Sequence, residues 1–553
     1  MPTRVFSRRF PLGRTGLATD LSPQVNDLLF SQIAQNVTFQ VSGSVRKVGG
    51  SQRINGTAIA GNPDIVGIYD FWRSGTSGTS TQQVVVVASN GNIYRLTQAS
   101  PLSISGSVAL TAGARPVFSQ FQDLLTIWSS VGDAPRKWNQ AGSAALLDGS
   151  PPSARVATVY KGRLWAANTN LNPSRLFFSA IDSAELWTGN DTGSVDVDPE
   201  DGDRIVGLAS HKGRLLIFKG PFKGSIHQIS GSAPTGDDAF SLTPLLKGIA
   251  LQTHNSIVEV GDDLWFMSDR GIHSISATQR FGDFAQADLS RYLKIGFTEL
   301  FNRSLLDRVW GVHYAHKSCV IWTMAGTGAT ENNTALVFSY IRQEEEGLKI
   351  STWGRSCISA AIVIDPATLL RQVAFGTTNG YVERQDIARR GLASEPSGGF
   401  ILDTDLLGTG ILGDAFASNT GYTFRIVSPQ ITVTETDVQG QPRADQPVVL
   451  ERMYLKSEPG GDYNVTVGVS RDGLAPETYT FNQGASRFIL DVSHLDVDQL
   501  GGGILQTVTQ DMVGEARAIS LDIQQGGANE DAHLYEIGID FTHTSLIGTR
   551  TLA

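Results

Sequence analysis

The sequence predicts a mainly β protein: a β-propeller of six or seven blades with a small helical insertion and a C-terminal β-sandwich. Three observations predict it. Glycine is frequent at 59 residues and charged residues are scarce at 18%, while Val/Ile/Thr-rich runs broken by Gly, Asn and Asp outnumber amphipathic helical stretches. Seven apolar strands recur along the first two thirds of the chain at steps of 40 to 55 residues, the period of four-stranded blades. Beyond residue 420 the strands lengthen and alternate apolar with polar, the mark of a sheet with one covered and one wet face.

At 553 residues the chain is too long for one hydrophobic core, so it divides. Residues 1–60 read as an N-terminal arm that could supply a closing strand through NVTFQVSGSVRKV. Residues 61–398 form the propeller. Its seven middle strands are QQVVVVAS, QDLLTIWS, GRLWAANT, GRLLIFKG, DDLWFMSD, KSCVIWTM and RQVAFGTT. Each is preceded by a strand such as DIVGIYDF or RIVGLAS and followed by one such as GNIYRLT or SRLFFSA. The middle strands are apolar at consecutive positions, as strands with both faces covered must be. The first strands carry small residues, Ala157, Gly207 and Ala360, suited to crowding near an axis. Between the fifth and sixth repeats, residues 285–307 space Leu289, Tyr292, Leu293, Leu300, Phe301 and Leu305 mostly as a helix would, which predicts an insertion. Residues 399–420 are a Gly/Asp-rich linker, and 421–553 the sandwich.

Charge and segment content exclude several classes. A net charge of −10 disfavours a general nucleic-acid binder, because such proteins gain affinity by neutralising phosphates. The opening seventeen residues carry Arg4, Arg8, Arg9 and Arg14 but no apolar core, so no secretory signal is predicted, and no stretch has the length of a membrane span. Cys319 and Cys357 are too few for a disulfide framework. The Asn-x-Ser/Thr matches at Asn36, Asn55 and Asn464 therefore read as chance surface sequence.

No chemical motif of the sequence predicts a catalytic, cofactor or metal site. Gly408, Gly410 and Gly413 fit G-x-G-x-x-G, but no strand precedes them and no helix of proper length follows. His313, His316 and Cys319 are spaced three apart, which in a strand sends them to opposite faces; a hairpin turn followed by a buried cysteine fits better than zinc. SRDGLAPETY, from Ser470, is loosely like the Asp box of sialidase-type propellers, yet its glycine is one residue early and it reads as a hairpin turn. Asp196, Asp198, Glu200, Asp201 and Asp203 sit in one short acidic run, but Gly and Glu do not fall where an EF-hand needs them, so the run reads as a connection between blades.

Four stretches carry a resemblance: TDLSPQVNDLLFSQIAQNVTFQVSGSVRKVGGSQRING; the long central segment from KGRLWAANT to HQISG; HNSIVEVGDDLWFMSDRGIHSIS; and AISLDIQQGGANEDAHLYEIGIDF. In pattern and order they resemble the tail nozzle and tail-tube propeller proteins of short-tailed bacteriophages. The resemblance implies a non-enzymatic virion protein, made in the host cytoplasm, that forms a homo-oligomeric ring, by preference a hexamer. Such a ring would meet the portal and adaptor complex, hold tail fibres or a plug, and pass viral DNA without binding it or inserting in a membrane. Under that reading Asp196, Asp198, Glu200, Asp201 and Asp203 either line or rim the channel, repelling DNA, or are merely solvated. Arg4, Arg8, Arg9 and Arg14 would form an unpaired basic arm that docks on a neighbouring subunit or on the adaptor ring. The alternative is a carbohydrate-binding or carbohydrate-cleaving propeller, which would need acids and aromatics gathered at one end of its axis.

Overall fold

A computed structural model describes residues 5–12, 16–20, 30–74, 80–97, 100–276, 288–341, 347–365, 369–387, 423–432, 447–458, 463–484, 505–526 and 532–543. The chain forms two compact units, one of residues 52–335 and 355–385, the other of residues 1–51, 336–354 and 386–553.

The first unit is a β-propeller. Its inner strands are Ile65–Ser74, Pro116–Phe121, Ala154–Tyr160, Arg204–His211, Val258–Val260, Trp310–Tyr314 and Ser359–Ile364. Each packs against the next except at the fifth place, where the 3-10 turn His254–Ser256 packs against the fourth and sixth strands and Val258–Val260 against the sixth; the last packs against the first, so the succession closes on itself. Six of the seven repeats form sheets of their own, five of four strands and the one at Val258–Ser274 of three. The sixth position is held by the hairpin of Trp310–Tyr314 with Cys319–Met324, where the chain leaves this unit at Ala335 and returns at Arg355.

Stacking follows from the double apolarity of the middle strands. In Ser80–Ala88, Val85 and Val87 join a core with Leu125, Ile127 and Trp138 of the second blade. Val84 and Val86 join another with Val363, Ala374 and Val382 of the seventh. In Arg214–Gly220 the same division recurs, Leu215 and Ile217 facing the third blade and Leu216 and Phe218 the fifth. Two residues on each face, each contributing about 1.5–3 kcal/mol on burial against a neighbouring blade, make a blade unstable without both its neighbours. Crowding at the axis is equally concrete: a Cβ on Gly207 would lie 2.4 Å from Leu251 Cδ2 and 2.8 Å from Ile257 Cδ1.

The closing strand differs from expectation. The segment 36–48 makes a hairpin, Val37–Phe39 with Val45–Lys47, in the other unit. Gly50–Arg53, a few residues later, is the outermost strand of the seventh blade. The arm and the sandwich thus meet in one domain, because the apolar alternation of the arm needs a sheet face to complete. Within the insertion, the described residues form a short α-helix, Lys294–Glu299, and a 3-10 segment, Arg303–Arg308. The expected linker 399–420, with Gly408, Gly410 and Gly413, lies outside the described residues.

The second unit is the sandwich-like domain. One sheet runs in the order Gln506–Asp511, Val448–Ser457, His533–His543, Val45–Lys47, Val37–Phe39, with Phe6–Pro11 also on His533–His543. The facing strands include Ile33–Gln35, Phe424–Val427, Ala518–Gln525, Asn464–Arg471 and Glu477–Asn482. Alternation places Val465, Val467 and Val469, Ile519, Leu521 and Ile523, and Ile537, Ile539 and Phe541 in a single core with Val37, Phe39 and Val45. The expected domain 421–553 is therefore incomplete by itself: residues 1–51 and 336–354 belong to it.

Asn36 and Asn55 are not surface residues. Asn36, in the left-handed region at φ 55°, donates to Thr423 O at 2.8 Å and accepts from Gly354 N at 2.9 Å. Asn55 donates to Thr57 O and Gly380 O and accepts from Val382 N, tying the chain to the seventh blade. Short polar side chains that satisfy buried backbone groups explain both. Asn464 is exposed.

Candidate functional site

The acidic run connects the outer strand of the third blade, Gly193–Asp196, to the inner strand of the fourth, Arg204–His211. Two of its five carboxylates serve the fold. Asp203 is buried, and its Oδ1 accepts from Phe222 N at 3.0 Å while Oδ2 accepts from Lys223 N at 2.9 Å and Gly224 N at 2.7 Å. Gly224 is required there, since at φ +70° a Cβ would lie 2.2 Å from backbone atoms of Ile249 and Ala250. Asp201 accepts from Asp203 N at 2.9 Å and from Lys219 Nζ at 2.7 Å. The Lys219 side chain has no exposure, and its ammonium is completed by Val197 O at 2.8 Å and Asp198 O at 2.6 Å. All three ammonium donors are thus satisfied, the condition for burying such a charge.

The remaining acids face outward. Asp196 holds Arg175 through two bonds of 2.6 and 2.8 Å, and the guanidinium keeps its carboxyl below the usual range. The Asp198 side chain is half-exposed, with His227 Nε2 3.6 Å away, and Glu200 is exposed. The sequence signal for Lys219 is its place at the end of the apolar run LLIFK, since a lysine buried there must have partners.

Of the basic residues, Arg8 and Arg9 do not form an unpaired arm. They lie on Phe6–Pro11, in register with Ile539 and Gly538, with both side chains exposed and Arg9 Nε 3.9 Å from Glu536. Arg4 and Arg14 lie outside the described residues. His313 and Cys319 flank the turn Ala315–Lys317 that contains His316, and Cys319 is buried. In SRDGLAPETY, Asp472 and Gly473 take positive φ, and Leu474 N bonds Arg471 O at 2.8 Å, a tight hairpin turn.

A cavity of about 350 Å³ lies among the inner strands, lined among others by Tyr69, Asp70, Phe118, His254, Trp310 and Ala360. Its carboxylate is also committed: Asp70 accepts from Gln82 Nε2 at 2.6 Å, Trp72 Nε1 at 3.0 Å and Ile364 N at 3.0 Å, and burial raises it above the ordinary carboxylate range. His254 Nδ1 accepts from Leu208 N at 3.3 Å, and desolvation lowers its pKa to about 4, so the ring is neutral near pH 7.

No family model and no curated protein matches the chain. Solved structures similar to it include a streptogramin B lyase, covering 61% of this chain and 97% of its own at 15% identity and a TM-score of 0.38. An exo-β-1,3-galactanase from Phanerochaete chrysosporium covers 89% and 99% at 12% identity and a TM-score of 0.26. The C-terminal WD40 domain of Sif2 covers 62% and 99% at 9% identity and a TM-score of 0.33.

Proposed function

We propose that this chain is a structural, non-catalytic subunit of a bacteriophage tail, one copy in a ring, by preference hexameric, through which DNA leaves the virion. The ring would join the portal and adaptor complex and carry fibres or a plug. The observation that carries the reading is how the propeller spends its acids. Glycoside hydrolysis needs two carboxyl groups free to act across one sugar bond. Here Asp70 at the axis and Asp201 and Asp203 in the connector are all committed as acceptors for backbone amides, Trp72, Gln82 and Lys219. Rigid shape is what such carboxylates supply. The order of the sequence stretches that resemble tail nozzles supports the more specific assignment.

Negative-stain imaging of the purified protein, alone and with portal and adaptor, tests it: rings are expected, and monomers that hydrolyse a glycan would overturn it. For the channel, Asp198→Lys with Glu200→Lys isolates charge from folding, because both side chains face outward. Slower DNA ejection is expected if they border the path, and unchanged kinetics would remove them from it.

A further inference from the structure

In a chain of net charge −10, one recess of the propeller has cations as most of its charged lining residues. This cleft, of about 550 Å³, lies between the first and seventh blades and contains Arg53, Arg95 and Arg384 against a single carboxylate, Asp365. Its volume is that of a small-molecule site. Apolar walls from Val84 and Val363 lower the local dielectric and strengthen whatever charge interaction is made there.

The three guanidinium groups are held differently. Arg384 is fixed by two partners, Nη2 donating to Gln52 Oε1 at 2.8 Å and Nη1 to Asp365 Oδ2 at 3.2 Å. Arg53 lies with Cζ 3.7 Å over the Tyr381 ring, and its Nε is buried with no hydrogen-bond partner among the described residues. An aromatic face orients a guanidinium without cancelling its charge. Arg95, half-buried at the end of its strand, makes no ion pair among the described residues. Gln83 and Gln372 add amide donors and acceptors to the same lining. Preset forks of N–H donors are what carboxylate and phosphate require, and amides beside them suit hydroxyl groups.

We propose that this cleft is a binding site for a small anionic ligand with a hydroxyl-rich body, a sugar acid or a sugar phosphate. The site does not depend on the tail reading, and it requires no catalysis. Isothermal titration calorimetry of the full chain with glucuronate, glucose 6-phosphate and glucose tests it, with Arg95→Gln as the variant. Arg95 supports no fold contact described above, so R95Q should melt as the parent does. Binding of either anion with Kd near ~1 mM or tighter, absent for glucose and weakened about tenfold or more in R95Q, is expected. Glucuronate alone would assign a carboxylate ligand, and glucose 6-phosphate alone a phosphate. No binding of either anion, equal binding of glucose, or unchanged binding in R95Q would overturn the proposal. So would a short DNA duplex that displaces the bound anion from the parent but not from R95Q, which would reassign the arginines to backbone phosphates.

Discussion

At the scale of single residues, the acids that stand out in the sequence differ by what surrounds them. Asp203 and Glu200 are three positions apart, yet one caps three backbone amides and the other faces water. Asp203→Ala should therefore cost about 2–3 kcal/mol, since one buried and two part-buried N–H groups lose their acceptor, whereas Glu200→Lys should stay within about 0.5 kcal/mol. Urea denaturation followed by tryptophan fluorescence would show a lowered midpoint for the first alone. Nothing in the composition of the run distinguishes the two. The turn Asp201-Gly202-Asp203 was visible, but the amides that Asp203 receives come from Phe222, Lys223 and Gly224 on the next hairpin.

At the scale of elements, blade order was legible because each strand carries its own pattern, and every one of the seven repeats falls on the expected strands. Closure was less so. The terminal blade takes its outer strand from Gly50–Arg53, four residues with no strong pattern, and Asn55 secures the junction. Asn55→Ala should lower stability by about 2–3 kcal/mol, read as a shift in the urea midpoint, because Val382 N and Gly380 O lose their partner. His254 offers a second element-scale test, joining the turn after the fourth blade to Leu208. The unfolded ring gains a proton near pH 6.5 and the folded one only near 4, so its contribution is whole above about pH 6.5 and is lost as pH falls toward 4. His254→Asn should flatten the fall in thermal midpoint across that window relative to the parent, as followed by circular dichroism.

At the scale of the whole molecule, the chain passes between its two units four times, near residues 51, 335, 354 and 385. The segment 336–354 leaves and returns at neighbouring points, Arg355 N bonding Asn333 O at 3.0 Å. Buried Lys349, Ile350 and Trp353 lie on it, and Trp353 Nε1 donates to Val37 O at 3.0 Å within the sandwich. A fragment of residues 421–553 should consequently fail to melt cooperatively, and should expose the core faces that Val37, Phe39 and Val45 cover. A soluble fragment with a sharp thermal transition would contradict this. No described helix is long and apolar enough to cross a membrane.

The sequence by itself determined the class of fold, the seven repeats and their strand order, because burial on both faces or on one writes itself into adjacent residues. It also marked the buried Cys319 hairpin and the Asp472-Gly473 turn, whose conformations are local. Only the tertiary structure decided that the arm completes the sandwich, that Gly50–Arg53 closes the seventh blade, and that Arg53, Arg95 and Arg384 share one cleft. Those outcomes join residues hundreds of positions apart, and pairing at such distance depends on which sheet edges and charges the finished fold brings together, which no local periodicity encodes.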